Sequence, residues 1–218
     1  MIVESIDTDN TPYLSIAGPS RRKMRDRLKA ELGAVPYSDF LVYLMGPYTS
    51  FDVEALIPED TDAKEVSLPS AHADETSIGE MLATLRRVQG SLRTTPGVNA
   101  FLAVDANISL EEMDAATQSI RFASASNAIA FILPNLGDNL GVGMEVGAVL
   151  EDLYPNSERV LVVHESFVSS AMLGAVTRRW DANIAAYADE DELIDHLRMF
   201  IGQIMVHERT GNLHEKSE

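Results

Sequence analysis

The chain has 218 residues, and its 34 Asp and Glu against 17 Lys and Arg give a formal net charge of −17 at pH 7. Such an acidic chain lacks the basic face that non-specific nucleic-acid binding requires. It contains no Cys, which excludes disulfides and thiolate metal sites. The amino terminus has no signal-peptide pattern, and no apolar run reaches membrane-spanning length. We therefore expect a cytoplasmic protein that binds neither nucleic acid nor membranes.

Lysine is scarce in this acidic composition. The four lysines are Lys23, Lys29, Lys64 and Lys216. This balance favours a halophilic protein from a cytosol of very high salt, because carboxylates stay hydrated there and salt screens their repulsion. An acidic protein from an ordinary cytosol is the alternative.

Residues 1–37 are predicted to form a loosely ordered arm followed by a basic helix. Ser20 is a candidate cap for the start of this helix, and Gly33 is a candidate stop after Leu32. The one basic run of the chain lies here: Arg21, Arg22, Lys23, Arg25 and Arg27. The run is interpreted either as a contact for phosphate or an acidic partner, or as a solvated helix face that balances an acidic body, which we favour.

Residues 38–208 are predicted to form one α/β domain, and residues 209–218 a disordered tail. Within the domain, residues 52–76 are rich in Asp, Glu, Pro and Ser, which indicates a mobile insertion or a lid. Short apolar runs predict strands at 40–45, 98–104, 128–133, 158–164 and 182–187. Helical patterns lie at 77 to about 94, 110–125, 145–153, from 167 onward and 189–206. Ser109 and Glu112 form a candidate capping box for the second of these helices.

The alternation of strands and helices predicts a three-layer sandwich with a five-stranded parallel sheet. We expect the flavodoxin-like, Rossmann-like strand order 2-1-3-4-5, with 40–45 as the first, central strand. In such a sheet the ligand lies beyond the carboxyl ends of the strands. Asp105 and Asp138 follow two predicted strands and should project at that edge.

The segment 138–147, with the sequence Asp-Asn-Leu-Gly-Val-Gly-Met-Glu-Val-Gly, follows the strand at 128–133. Gly141 and Gly143 have no Cβ, so a ligand could approach the backbone closely. Glu145 is predicted in the first turn of the next helix, where free N–H groups and the helix dipole favour an ionised carboxylate. This placement fits a nucleophile or hydroxyl-binding group, and it equally fits ordinary stabilisation of a helix.

Residues 140–147 resemble the nucleophile loop of the nucleoside 2-deoxyribosyltransferase superfamily, most closely its 2′-deoxynucleoside 5′-phosphate N-hydrolase branch. Residues 42–47, Val-Tyr-Leu-Met-Gly-Pro, are similar to the first-strand signature of that superfamily, and the Ser-Ala-Met at 170–172 matches the hydrolase branch. The resemblance implies that Glu145 attacks the anomeric carbon and that Tyr43 orients it. It also implies a homodimer in which Ser170 reaches the substrate of the neighbouring subunit. Tyr43 could instead be a core tyrosine, and Ser170 a routine helix cap.

Two features of this chain depart from the family. The hydrolases hold the 5′-phosphate with a Ser and an Arg in the loop after the first strand, where this chain has Pro47 and Thr49. The family also has an Asp on the helix before the nucleophile loop. Counting back from the nucleophile reaches Arg121, or Ser119 if the loop is longer. Either Asp114, Asp105 or Asp138 supplies the second carboxylate, or it is missing; we select Asp105 and Asp138.

These observations predict cleavage or transfer of an N-glycosidic bond in a nucleoside or nucleotide, without a metal or organic cofactor. The catalytic residues would be Glu145, Tyr43, Asp105 and Asp138. The substrate-binding residues would be Gly46, Tyr48, Asn139, Gly141, Gly143 and Ser170. Two alternatives remain: an NAD-cleaving enzyme related to Toll/interleukin-receptor domains, which share the architecture, and a nucleotide-binding sensor without catalysis.

Overall fold

The computed structural model describes residues 19–46, 75–109, 111–134, 140–154, 156–166 and 178–213, without the side chains of 75–79 and 140–145. Its five strands form one parallel sheet in the order β2-β1-β3-β4-β5, which confirms the predicted fold. The strands are β1 (Tyr37–Met45), β2 (Val98–Phe101), β3 (Ala128–Leu133), β4 (Val160–Glu165) and β5 (Asn183–Tyr187). The helices are α1 (Arg21–Glu31), α2 (Glu75–Thr94), α3 (Ala115–Ala125), α4 (Leu140–Leu153) and α5 (Glu190–Thr210).

The middle of the sheet is buried on both faces. All six residues of β3 are buried, and β3 rather than β1 is the middle strand. Alternate side chains of β1 enter two separate apolar clusters, because successive residues of a strand point to opposite faces. One cluster includes apolar side chains of α1, α3 and α4, and the other those of α2 and α5. Helices therefore cover both faces, as a parallel sheet requires.

The start of α3 differs from the prediction. The helix begins at Ala115 rather than at residue 110, because Asp114 is its cap and accepts a 2.9 Å hydrogen bond from the Thr117 N–H. Ser109 does accept a bond from the Glu112 N–H, at 3.2 Å, but this pair closes a separate turn before the helix. Two capping patterns lie in tandem, and the second one begins the helix.

The basic residues of α1 bind the chain itself. Arg21 donates to the Ser124 carbonyl at 3.1 Å and Arg25 to the Ala125 carbonyl at 2.7 Å, so both satisfy carbonyls at the end of α3. Arg27 forms an ion pair with a carboxylate in the turn before α3. Arg21, Arg25 and Arg27 thus attach α1 to α3 and the turn before it, while Arg22 and Lys23 are exposed as the predicted solvated face requires.

Asn127 connects four elements at the edge where the strands begin. Its side-chain oxygen accepts from the Leu41 N–H of β1, and its amide donates to both carboxylate oxygens of Glu208 on α5, each at 2.9 Å. The buried Arg159, just before β4, donates to the Asn127 carbonyl at 3.1 Å and pairs with Glu208. This cluster fixes α5 against the middle of β1 and the starts of β3 and β4.

Helix α5 extends to Thr210, past the predicted end at Val206. Gly211 follows it in the left-handed conformation, with φ of 69°. None of the helices in the described ranges combines the length and apolar character that crossing a bilayer requires.

Glu208→Ala should lower the free energy of unfolding by about 2–3 kcal/mol, because it leaves the buried Arg159 without its carboxylate. Urea denaturation measures the change. Glu190→Ala is the control: it removes an ion pair with Arg87 on the surface and should cost much less. Equal losses in the two variants would contradict the role given to the Asn127 cluster.

Candidate functional site

The strand order places the topological switch point of the sheet between β1 and β3. All neighbouring strands run in the same direction. The chain passes from β1 to β2 on one side of β1 and then crosses back to β3 on the other side, so the direction of winding reverses between β1 and β3. In open α/β sheets, ligands bind at such a switch point, between the segments that leave the two strands. Met45 pairs with Phe131 near the ends of β1 and β3, so those segments start side by side. The segment after β3 leads directly into α4, which carries Glu145.

Gly46 directly follows β1 at this edge of the sheet. A Cβ built on it would be 3.0 Å from Leu85 Cδ1 and 3.6 Å from the Ile132 carbonyl oxygen of β3. The first distance is closer than ordinary van der Waals contact, so a side chain fits only if Leu85 moves. The predicted substrate-binding Gly46 therefore has a packing reason to be glycine, independent of any ligand.

Tyr43 lies in the core on the face that α4 covers. It is fully buried, its ring stacks on Phe101 with centroids 5.1 Å apart, and it meets Phe122 edge-on at 5.6 Å. Val146 of α4 belongs to the same apolar cluster. Tyr43 thus has the packing of a core residue, and it lies on the same side of the sheet as the helix of the predicted nucleophile.

The prediction for the start of α4 was wrong. The helix begins at Leu140, so Gly141 and Gly143 are helical residues and Glu145 is the sixth residue of the helix. The first turn carries no acidic residue. The free N–H groups of the helix start therefore lie a full turn away from position 145, and the electrostatic argument for an ionised Glu145 does not hold.

Asp105 follows β2 in a short 3-10 turn rather than a strand. Its carboxylate accepts hydrogen bonds from the Leu102 N–H at 2.8 Å and the Gln89 amide at 2.7 Å, and it pairs with Arg86. All three contacts use the carboxylate as an acceptor and close the turn after β2. They give this predicted catalytic residue a structural role.

Asp114, the alternative acid, lies at the start of α3, on the face of the sheet that holds Tyr43. Its second oxygen accepts from the Thr117 hydroxyl at 2.7 Å. Hydrogen bonds from the Thr117 hydroxyl and backbone N–H lower the pKa of Asp114 and so favour its ionised form. On the same helix Ser119, one of the positions matched to the family Asp, is buried.

Several predicted site residues lie outside the described residues. These are Tyr48, Asp138, Asn139 and Ser170, together with the side chain of Glu145. The insertion at 52–76 lies outside them as well, except for its last two residues, which begin α2. Across the described ranges, no three His, Asp or Glu side chains are grouped as a metal site would require.

Two titratable groups at the carboxyl ends of the strands were not selected from the sequence. His164 lies near the end of β4, where its Nδ1 is 2.9 Å from the Glu165 carbonyl oxygen. Tyr187 ends β5, and burial together with the nearby Glu165 raises its pKa to about 12. For both residues, the sequence signal was a polar side chain near the carboxyl end of a mostly apolar run.

Comparison with protein families gives one match: residues 25–217 match the family described as "Domain of unknown function (DUF7509)". The match spans most of the chain and includes every described strand. No curated protein matches the sequence.

Gly46→Ala should lower the free energy of unfolding by about 1 kcal/mol, because the new methyl group displaces Leu85. Leu85→Val removes the two Cδ atoms and should make the alanine nearly neutral. Urea denaturation of both single variants and the double variant measures this coupling. The same cost for alanine in both backgrounds would show that the contact with Leu85 does not select glycine.

Proposed function

The chain belongs to the DUF7509 family, and we propose that it cleaves or transfers the N-glycosidic bond of a nucleoside or nucleotide through Glu145. The proposal rests on the resemblance of residues 140–147 to the deoxyribosyltransferase nucleophile loop. Its main structural support is the common location of two predicted partners. Tyr43 and the first buried residue after Glu145, Val146, pack in one apolar cluster on the same face of the sheet.

The chemistry takes two steps. A Glu145 carboxylate oxygen attacks C1′, the bond from C1′ to the base nitrogen breaks, and its electron pair leaves with the base. An acid protonates the base as it departs. Water or a second base then attacks C1′ and gives a proton to the deprotonated acid, the bond from C1′ to Glu145 breaks, and the free sugar or a new nucleoside is released. Tyr43 is the positioning residue for the nucleophile in this scheme.

The acid is proposed from two candidates, Asp105 and Asp138. The three contacts of Asp105 hold it as an acceptor on the β2 side of the sheet, which favours Asp138 as the proton donor. Asp114 has a lowered pKa and suits a base that activates water better than it suits an acid.

The remaining parts of the proposal concern the sugar pocket, the homodimer, the absence of a cofactor and the cellular environment. Gly46, Tyr48, Asn139, Gly141 and Gly143 would line the sugar pocket, and Ser170 would contact the substrate of a neighbouring subunit in a homodimer. The reaction needs neither a metal nor an organic cofactor. We place the protein in a cytoplasm, with high salt as the favoured environment because of its net charge of −17.

A nucleotide-binding sensor without catalysis is the second candidate. Its support is that Ser119 and Arg121 occupy the helix positions where the family has an acid, and that Asp105 is used structurally. Nucleotides would then raise the melting temperature of the protein without being consumed. Including NAD in the same panel tests the remaining alternative, since released nicotinamide would identify an NAD-cleaving enzyme.

Glu145→Gln should reduce base release from deoxynucleosides and their 5′-monophosphates by at least about a thousandfold, because an amide cannot act as the nucleophile. Chromatography of the free base, in molar salt and in dilute buffer, measures it. Glu151→Gln is the matched control: it lies on the same helix, is exposed, and still offers an oxygen to the Trp180 N–H. Undiminished turnover in Glu145→Gln would remove the nucleophile assignment.

Tyr43→Phe separates the packing of this residue from its proposed positioning role. The phenylalanine ring retains the contacts with Phe101 and Phe122, so the melting temperature should change by only a few degrees. Turnover should fall about a hundredfold if the hydroxyl positions Glu145. A variant with normal turnover would leave Tyr43 as a core residue alone.

A further inference from the structure

The exposed side of α5 carries a regular stripe of residues. Five positions succeed one another in steps of four and three, the spacing of a helical contact seam. They are Asp195, Met199, Gly202, Val206 and Arg209. The opposite side of α5 packs in the apolar cluster shared with α2 and the sheet. The stripe therefore belongs to the surface that the described fold leaves uncovered.

The centre of the stripe is apolar and open. Met199 is 58% exposed and Val206 is 51% exposed, and they lie seven residues apart on one side of the helix. Between them, a Cβ built on Gly202 would meet nothing within 4 Å. Glycine inside a helix costs about 1 kcal/mol relative to alanine. No packing among the described residues requires that cost, whereas the close approach of another helix would.

The two ends of the stripe carry opposite charges at equal distances from its centre. Asp195 lies seven residues before Gly202 and Arg209 seven residues after it, about 10 Å in each direction. Among the described residues, Asp195 pairs with Arg198 on the same helix, at 3.6 Å in an exposed ion pair. Asp195 is 77% exposed, so it remains accessible to a second partner.

We propose that a second copy of this chain docks on the stripe, with the two α5 helices antiparallel and crossing at Gly202. A two-fold axis through Gly202 places each Asp195 beside the partner's Arg209, and each Met199 near the partner's Val206. A parallel arrangement would instead oppose like charges at both ends. One helix face is smaller than a standard interface, so the dimer should dissociate on dilution. The inference does not depend on the proposed catalytic activity.

Charge exchange tests the antiparallel arrangement. Sedimentation velocity over a concentration series, at about 0.15 M salt so that nearby charges still interact, should show the wild type passing from monomer to dimer. Asp195→Arg and Arg209→Asp each oppose like charges at both ends, and each should raise the dissociation constant about tenfold or more. An equimolar mixture of the two variants restores both ion pairs and should recover the dimer.

Three results would overturn the proposal: a wild type that remains monomeric at every concentration, single variants that dimerise as the wild type does, or a mixture that gains nothing over its components. In particular, a dimer built on the region around Ser170 alone would be insensitive to both charge changes.

Gly202→Gln tests the close approach independently of charge. The added side chain meets open space in the monomer, so the variant should fold with unchanged or higher thermal stability and lose the dimer. Gly147→Gln is the control, because Gly147 is also a helical glycine with open space, on α4 at the opposite face of the sheet. Dimerisation retained in Gly202→Gln would exclude a crossing at this residue.

Discussion

The burial of β3 on both faces is the constraint from which the rest of this fold follows. A strand that contacts water on neither face must have helices above and below the sheet and hydrogen-bonded strands on both sides. Each of the parallel connections must then return across one face, which brings the exits of β1 and β3 together at one edge. The location of the candidate site is therefore a consequence of how the apolar core is covered.

Arginine side chains hold the end of the domain at which the strands begin. Where the strands begin, arginine side chains bind backbone carbonyls at the ends of neighbouring elements: Arg93 binds the Leu32 carbonyl, and Arg198 the Thr95 carbonyl, in addition to the contacts of Arg25 and Arg159. A guanidinium offers five donors in a fixed plane, so one side chain can serve two or three acceptors. Lysine has no such planar set of donors, so these contacts require arginine even in a chain that has few lysines.

The architecture and the strands could be predicted from the sequence, while helix starts and long-range contacts could not. The bounds of β3 were predicted because Asn127 and Pro134 interrupt an apolar run at both ends. The start of α3 was missed because two capping patterns lie within five residues of each other, and local sequence does not rank them. The start of α4 was missed because glycines favour a loop, a weak preference that the fold overrides. The contacts of Arg21 and Arg25 span about a hundred residues of chain, beyond any local pattern.

For the site, the sequence selected candidate residues but could not give the state of each side chain. It could not show that the Asp105 carboxylate accepts hydrogen bonds from three donors, or that the Tyr43 ring packs against two aromatic rings. Both facts depend on residues from other elements. A motif fixes which residues are near in sequence, and the remaining neighbours of a side chain come from the packing of the whole domain.

The arginine-bound edge has a consequence for how this family can diversify. The contacts that tie the ends of α1 and α3 and the starts of the strands to one another use no residue of the segments that leave the opposite edge. Lengthening such a segment costs little closure entropy. Changes between relatives in the connection from Gly46 to α2, or in the short one before α4, would therefore leave these contacts intact while they alter the surface at the opposite edge.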